Sequence, residues 1–95
     1  HPEEIDSALC RLPEVREVVT VAIADDEFGN RPVAFVRISD QTPFDDTRFV
    51  KFLERFLPRF KIPDEFFPWP DDAPVDTMKP DRPWFTRRAI DLLNR

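Results

Sequence analysis

A chain of 95 residues with a formal net charge of −5 has room for one domain, spanning residues 1–95, with a real core. Its charge argues against general nucleic-acid binding, which needs a basic face. A lone cysteine, Cys10, rules out an internal disulfide framework and fits a reducing, cytoplasmic setting, and no apolar run approaches the ~20 residues of a membrane span.

His1-Pro2-Glu3-Glu4 opens directly onto a helix with no signal-peptide pattern, as expected of a piece of a longer protein. Pro2 suits the opening turn, Glu3 and Glu4 complement the positive end of the helix dipole, and Ile5, Ala8, Leu9 and Leu12 recur at helical spacing. Pro13 is expected to stop this helix, with Cys10 as a small core or boundary residue within it and not a nucleophile. Val15 leads into two apolar runs, residues 18–24 and 33–38. The first is nearly continuous, as in a strand buried on both faces. The second is β-branched and aromatic, with Arg37 as its one charged member. Between them lies Asp25-Asp26-Glu27-Phe28-Gly29-Asn30-Arg31-Pro32, which holds the only glycine of a chain with eleven prolines. A β-hairpin with Gly29 at its tip is predicted, because glycine takes positive φ without steric cost. A turn alone accounts for it; a backbone bare of side chain beside Arg31 is also where a ligand can pass close.

Asp45, Asp46 and Thr47 are each suited to cap a second helix, in which Phe49, Phe52, Leu53, Phe56, Leu57 and Phe60 trace one apolar stripe over three turns. Pro58 is expected to halt it. Opposite lie Arg48, Lys51 and Arg55, followed by Arg59 and Lys61: a solvated face, or a docking face for an anion or acidic protein partner. Residues 62–70 extend between prolines, which limits them to a short edge strand. Residues 71–83 read as an exposed loop. A last helix places Phe85, Ala89, Leu92 and Leu93 on one face. The fold class is α+β: a small sheet containing the hairpin, packed with about three helices.

Several chemistries fail. The one histidine is the first residue, so a Ser-His-Asp or Cys-His arrangement is not expected. Asp71-Asp72 and Asp25-Asp26-Glu27 lack the spacing of a metal loop, and one glycine forms no phosphate-cradling loop. Unaided catalysis is not expected. Lys79, in Thr77-Met78-Lys79-Pro80-Asp81-Arg82, stands out. Exposed lysines are ordinarily just solvated, yet a mobile ammonium is a compact donor for a carboxylate and a phosphoryl oxygen as charge develops on them.

Four stretches in order, His1-Pro2-Glu3-Glu4-Ile5-Asp6, Ala24 through Val36, Leu57-Pro58-Arg59-Phe60-Lys61-Ile62-Pro63 and Lys79-Pro80-Asp81-Arg82, resemble the C-terminal lid domain of the adenylate-forming superfamily of acyl-CoA synthetases, adenylation domains and luciferases. The Glu27-to-Ala34 tip, the compact length and the lack of Thr-Gly before the lysine are most similar to its o-succinylbenzoate–CoA ligase branch. The resemblance implies a ligase that joins a small carboxylic acid to ATP as acyl-AMP, with Mg2+, and then forms the CoA thioester. It implies that the chain's partner is its own N-terminal adenylation domain, which carries most contacts to ATP, CoA and Mg2+, and that the isolated chain is inactive. Lys79 takes the place of the family lysine of the adenylation step. Gly29 matches the glycine whose backbone lines the pantetheine tunnel, and Arg31 and Lys61 are the candidates to meet CoA phosphates or the large domain. The chain departs from the pattern at Met78, where a glycine usually stands. Residues 80–84 read as an insertion, and counting back from Arg87-Arg88-Ala89-Ile90 sets Trp84 in the lysine's place, although the Lys-x-Asp-Arg order favours Lys79.

Overall fold

The computed structural model describes residues 2–27, 29–75 and 78–94. Three helices and three strands follow in the order α1 (Pro2–Leu9), β1 (Val15–Asp25), β2 (Gly29–Ile38), α2 (Asp46–Leu53), β3 (Glu65–Pro68) and α3 (Arg82–Leu93), with a single 3-10 turn over Arg59–Lys61 before β3. The predicted hairpin forms: β1 and β2 pair antiparallel from Val15↔Ile38 to Asp25↔Gly29, with a register shift between Val15 and Glu17. Gly29 has φ +82°, the left-handed conformation that favours glycine. Phe28, in the same tip, lies outside the described residues, as do His1, Asp76 and Thr77. β3 joins β2 in parallel, through Val33↔Glu65 to Val36↔Pro68, which makes β2 central and β3 an edge.

Because side chains alternate along a strand, β2 feeds two cores. Ala34 and Val36 meet Ile5, Leu9, Phe49 and Leu53 of α1 and α2 on one face. Val33 and Phe35 meet Phe85 and Ala89 of α3 on the other. The Phe35 ring lies 5.6 Å from that of Phe67 and 5.2 Å from that of Phe85, the offset separation aromatic pairs prefer. β1 is buried on both faces only over residues 18–21; Ala22 and Ala24 are exposed. Among the described residues no helix is long and apolar enough to cross a membrane.

Three boundaries differ from expectation. α1 ends at Leu9, four residues before Pro13, and closes through tighter turns in which the Leu12 amide donates to the Leu9 carbonyl (3.0 Å). Leu12 stays buried, whereas Cys10 turns out to be exposed. Its thiol is pushed up by partial desolvation and then by the Asp6 and Glu17 charges. α2 is capped by the Asp45 side chain on the Thr47 amide (3.1 Å) but ends at Leu53. Pro58 biases Leu57 away from the helical region, and the last turn tightens as the Phe56 amide donates to the Leu53 carbonyl (2.9 Å). The apolar stripe therefore outruns its helix, leaving Phe60 80% exposed. α3 starts at Arg82, inside the segment read as loop. Asp81 accepts from the Trp84 amide (3.2 Å) and Pro83 fills a first-turn position where no amide is needed.

Candidate functional site

Gly29 opens β2 at the hairpin tip, and a Cβ built on it would meet nothing within 4 Å. The backbone there is open to solvent, and its conformation, not crowding, calls for glycine. Asn30 and Pro32 point from β2 toward α1 and, with Ala22, Pro2, Glu4, Ile5 and Lys61, line a shallow, mostly apolar groove of about 160 Å³. The Lys61 ammonium stands 3.9 Å from the Glu4 carboxylate. Arg31 alternates to the opposite face of the sheet, where its Nε lies 3.5 Å from Asp64 Oδ2. Gly29, Arg31 and Lys61 thus gather around one end of the sheet.

Lys79 is at the other end. It lies on the rim of an open groove of about 800 Å³ bordered by Arg37, Ile38, Asp40, Trp69 and Met78, beyond the last residues of β2 and β3. A strand rises about 3.3 Å per residue, so the ends of β2, Gly29 and Ile38, are roughly 30 Å apart, in a molecule whose longest extent is 37 Å. The structure does not bring the two principal candidates together. Asp81 caps α3 and Arg82, three residues beyond Lys79, is its first residue; Trp84 is in its first turn, edge-on to Phe85 at 5.0 Å.

Three arginines of the basic strip on and after α2 meet partners within the chain. Arg48 makes a two-point pair with Glu14, and this guanidinium holds the Glu14 carboxyl below its ordinary range. Arg59 pairs with Glu54 at 3.5 Å, and Arg55 lies over the Phe52 and Phe56 rings. Among the described residues no cluster of His, Cys, Asp or Glu is placed to hold a metal ion.

Arg82 and Asp6 form a contact that sequence reasoning did not single out. The Arg82 guanidinium rounds the edge of β1, donating to the Thr20 carbonyl and to Asp6 Oδ2 (2.8 Å) on α1. It ties α3 to both other layers. Burial pushes the Asp6 carboxyl up, opposed by Arg82 and then Thr20. The only sequence signal was the Lys-x-Asp-Arg order itself: Asp81 caps the helix and Arg82 anchors it, next to Lys79.

The family described as AMP-binding enzyme C-terminal domain matches residues 4–75, a span that stops short of Lys79. The chain is 38% identical over 65 residues to a sulfoacetate–CoA ligase of Cupriavidus necator, covering 68% of this chain and 13% of that protein. It is 31% identical over 89 residues to a 2-succinylbenzoate–CoA ligase of Salmonella typhimurium, covering 94% and 18%. A solved structure of ATP-bound MatB from Rhodopseudomonas palustris superposes with a TM-score of 0.83 at 25% identity, over 97% of this chain and 18% of that one. The chain spans less than a fifth of the length of these relatives.

Proposed function

Because the chain belongs to the family of AMP-binding enzyme C-terminal domains, we propose that it is the movable lid of an acid–CoA ligase whose acid is 2-succinylbenzoate, in menaquinone biosynthesis. The observation that carries this reading is the separation of Lys79 and Gly29 at opposite ends of one rigid sheet. A body with two working ends roughly 30 Å apart serves one active site in two steps only by turning around. In the first step a carboxylate oxygen attacks the α-phosphorus of ATP and pyrophosphate leaves. The Lys79 ammonium lowers the repulsion between the two anions and stabilises charge on the phosphoryl oxygens. In the second, the thiol sulfur of CoA attacks the acyl carbon and AMP leaves. The bare backbone at Gly29 then lies along the thiol arm, with Arg31 and Lys61 turned from Asp64 and Glu4 toward CoA phosphates or the large domain. Withdrawal of Lys79 between the steps removes a cation that would hold the adenylate in place. Mg2+ is assigned to the large domain.

The choice of acid is supported by the hairpin-tip motif and by a 2-succinylbenzoate–CoA ligase alignable over 94% of the chain. The full enzyme, given ATP, CoA and in turn 2-succinylbenzoate, sulfoacetate and a long-chain fatty acid, is expected to form a thioester with the first by a wide margin. Preference for a fatty or other aryl acid would assign it to another acyl-CoA synthetase. A product independent of CoA would remove the thioester step altogether.

Gly29→Val tests the second working end. With φ at +82° a β-branched residue is strained by about 1–2 kcal/mol, and its side chain would occupy open backbone. Thioester formation from supplied acyl-adenylate is expected to fall about tenfold or more, with adenylate formation preserved. Stopped-flow of the separate half-reactions reads the difference; equal losses would mean that the tip has no special part in the second step.

A further inference from the structure

The segment carrying Lys79 leaves β3 and returns to α3 between two fixed points, and both fixed points are on α3. On the far side Asp81 caps the helix, the Phe85 amide donates to the Asp81 carbonyl (3.2 Å), and Arg82 is bound to Asp6 and Thr20. On the near side the Asp72 carboxylate accepts both terminal nitrogens of Arg88, one at 2.9 Å. The carbon of that guanidinium also lies over the Trp84 ring, 4.7 Å from its centre. Ala73, the next residue, packs on the α3-side core. Arg82 and Arg88 are six residues apart, about 9 Å along a helix, so the two points that hold the segment stand close together.

We infer that the Asp72–Arg88 clamp positions Lys79, which makes Arg88 and Asp72 positioning residues for the adenylation step. The inference rests on the assignment of Lys79 to that step. Two parallel N–H···O bonds set direction as well as distance, and the contact with the Trp84 ring gives the guanidinium a second point of attachment. The Arg88 guanidinium holds the Asp72 carboxyl below its ordinary range, so the clamp stays charged at neutral pH. Asp72 is largely solvent-exposed and Arg88 only partly, so loss of the pair alters stability little. A displacement near 1 Å at a charge-stabilising group, by contrast, has a large effect on rate.

The test uses the full enzyme and its two half-reactions, together with the electron-spin-resonance line shape of a nitroxide at Met78→Cys, other accessible cysteines having been replaced. Arg88→Ala and Asp72→Asn are each expected to lower the adenylation rate about tenfold, leave thioester formation from supplied acyl-adenylate unchanged, and loosen the nitroxide. The exchanged pair Asp72→Arg with Arg88→Asp restores the ion pair without the Trp84 contact and is expected to recover part of both signals, which a merely structural role for either residue would not produce. An unchanged nitroxide in Arg88→Ala overturns the clamp. A looser nitroxide with unchanged adenylation, where Lys79→Ala is inactive in that step, overturns its positioning role, as does an equal fall in both half-reactions. If Lys79→Ala itself adenylates normally, the assignment of Lys79 fails, and with it the positioning role, while the nitroxide alone decides whether the clamp exists.

Discussion

Lys79→Ala in the full enzyme is expected to slow acyl-adenylate formation about 100- to 1,000-fold and to leave thioester formation from supplied acyl-adenylate nearly unchanged. The magnitude follows from the task. A carboxylate approaching a triphosphate meets like charge, and one preplaced ammonium in a site shielded from water offsets much of that repulsion without reorganising solvent. Lys79→Arg is expected to recover only part of the rate, because a planar fork does not replace a compact point charge at a site reached along a flexible stem. ATP–pyrophosphate exchange measures the first step and release of AMP from synthetic adenylate measures the second. A loss shared by both steps would move Lys79 out of adenylation and into general assembly of the closed enzyme. The prediction concerns one residue at one end of the sheet, so it is independent of the outcome at Gly29.

Arg82→Ala is expected to have the largest effect on stability, about 2–3 kcal/mol. Asp6 keeps only 16% of its side chain exposed and Arg82 34%; removal of the guanidinium strands a carboxylate between α1 and β1 and frees the Thr20 carbonyl at the sheet edge. The value is set below that of a fully buried pair because water reaches Arg82 and screens it. The deficit should depend on pH with a definite sign. Burial already holds the Asp6 pKa above its ordinary value against the pull of Arg82, so without Arg82 it rises further. A carboxyl whose folded pKa is raised favours the folded state below its unfolded pKa and loses that contribution as pH rises through the folded value. The difference in urea midpoint between Arg82→Ala and the parent should therefore be full near pH 8 and shrink as pH falls toward 4. A difference constant across that range would mean that Arg82 acts through packing alone. Asp6→Asn, which removes the charge but keeps the shape, is expected to cost less than Arg82→Ala.

The hairpin was legible because its signals are local. Two β-branched runs flank the only glycine, and the positive φ at Gly29 is the conformation that composition foretold. The short edge strand and the cap at Asp45 likewise depend on neighbours within a few residues. The Phe49-to-Phe60 stripe misled for the opposite reason. Its period continues past Leu53, but the helix does not, since the approach to Pro58 turns the backbone; Phe56, beyond the helix end, pairs with the Phe52 ring at 5.1 Å. Arg82 was invisible as an anchor because its partners, Asp6 and Thr20, are 76 and 62 residues away in sequence.

Residue order by itself determined an α+β chain built around a glycine-tipped hairpin, because propensity, turn chemistry and periodicity all act within a turn or two. Tertiary structure decided which face of β2 each helix covers, that β3 joins in parallel, and that Gly29 and Lys79 stand at opposite ends of the sheet. Those facts depend on packing between segments distant in the chain: alternating side chains of β2 demand a cover on both faces, and the helices that supply it carry the lysine to the end of the sheet remote from the turn.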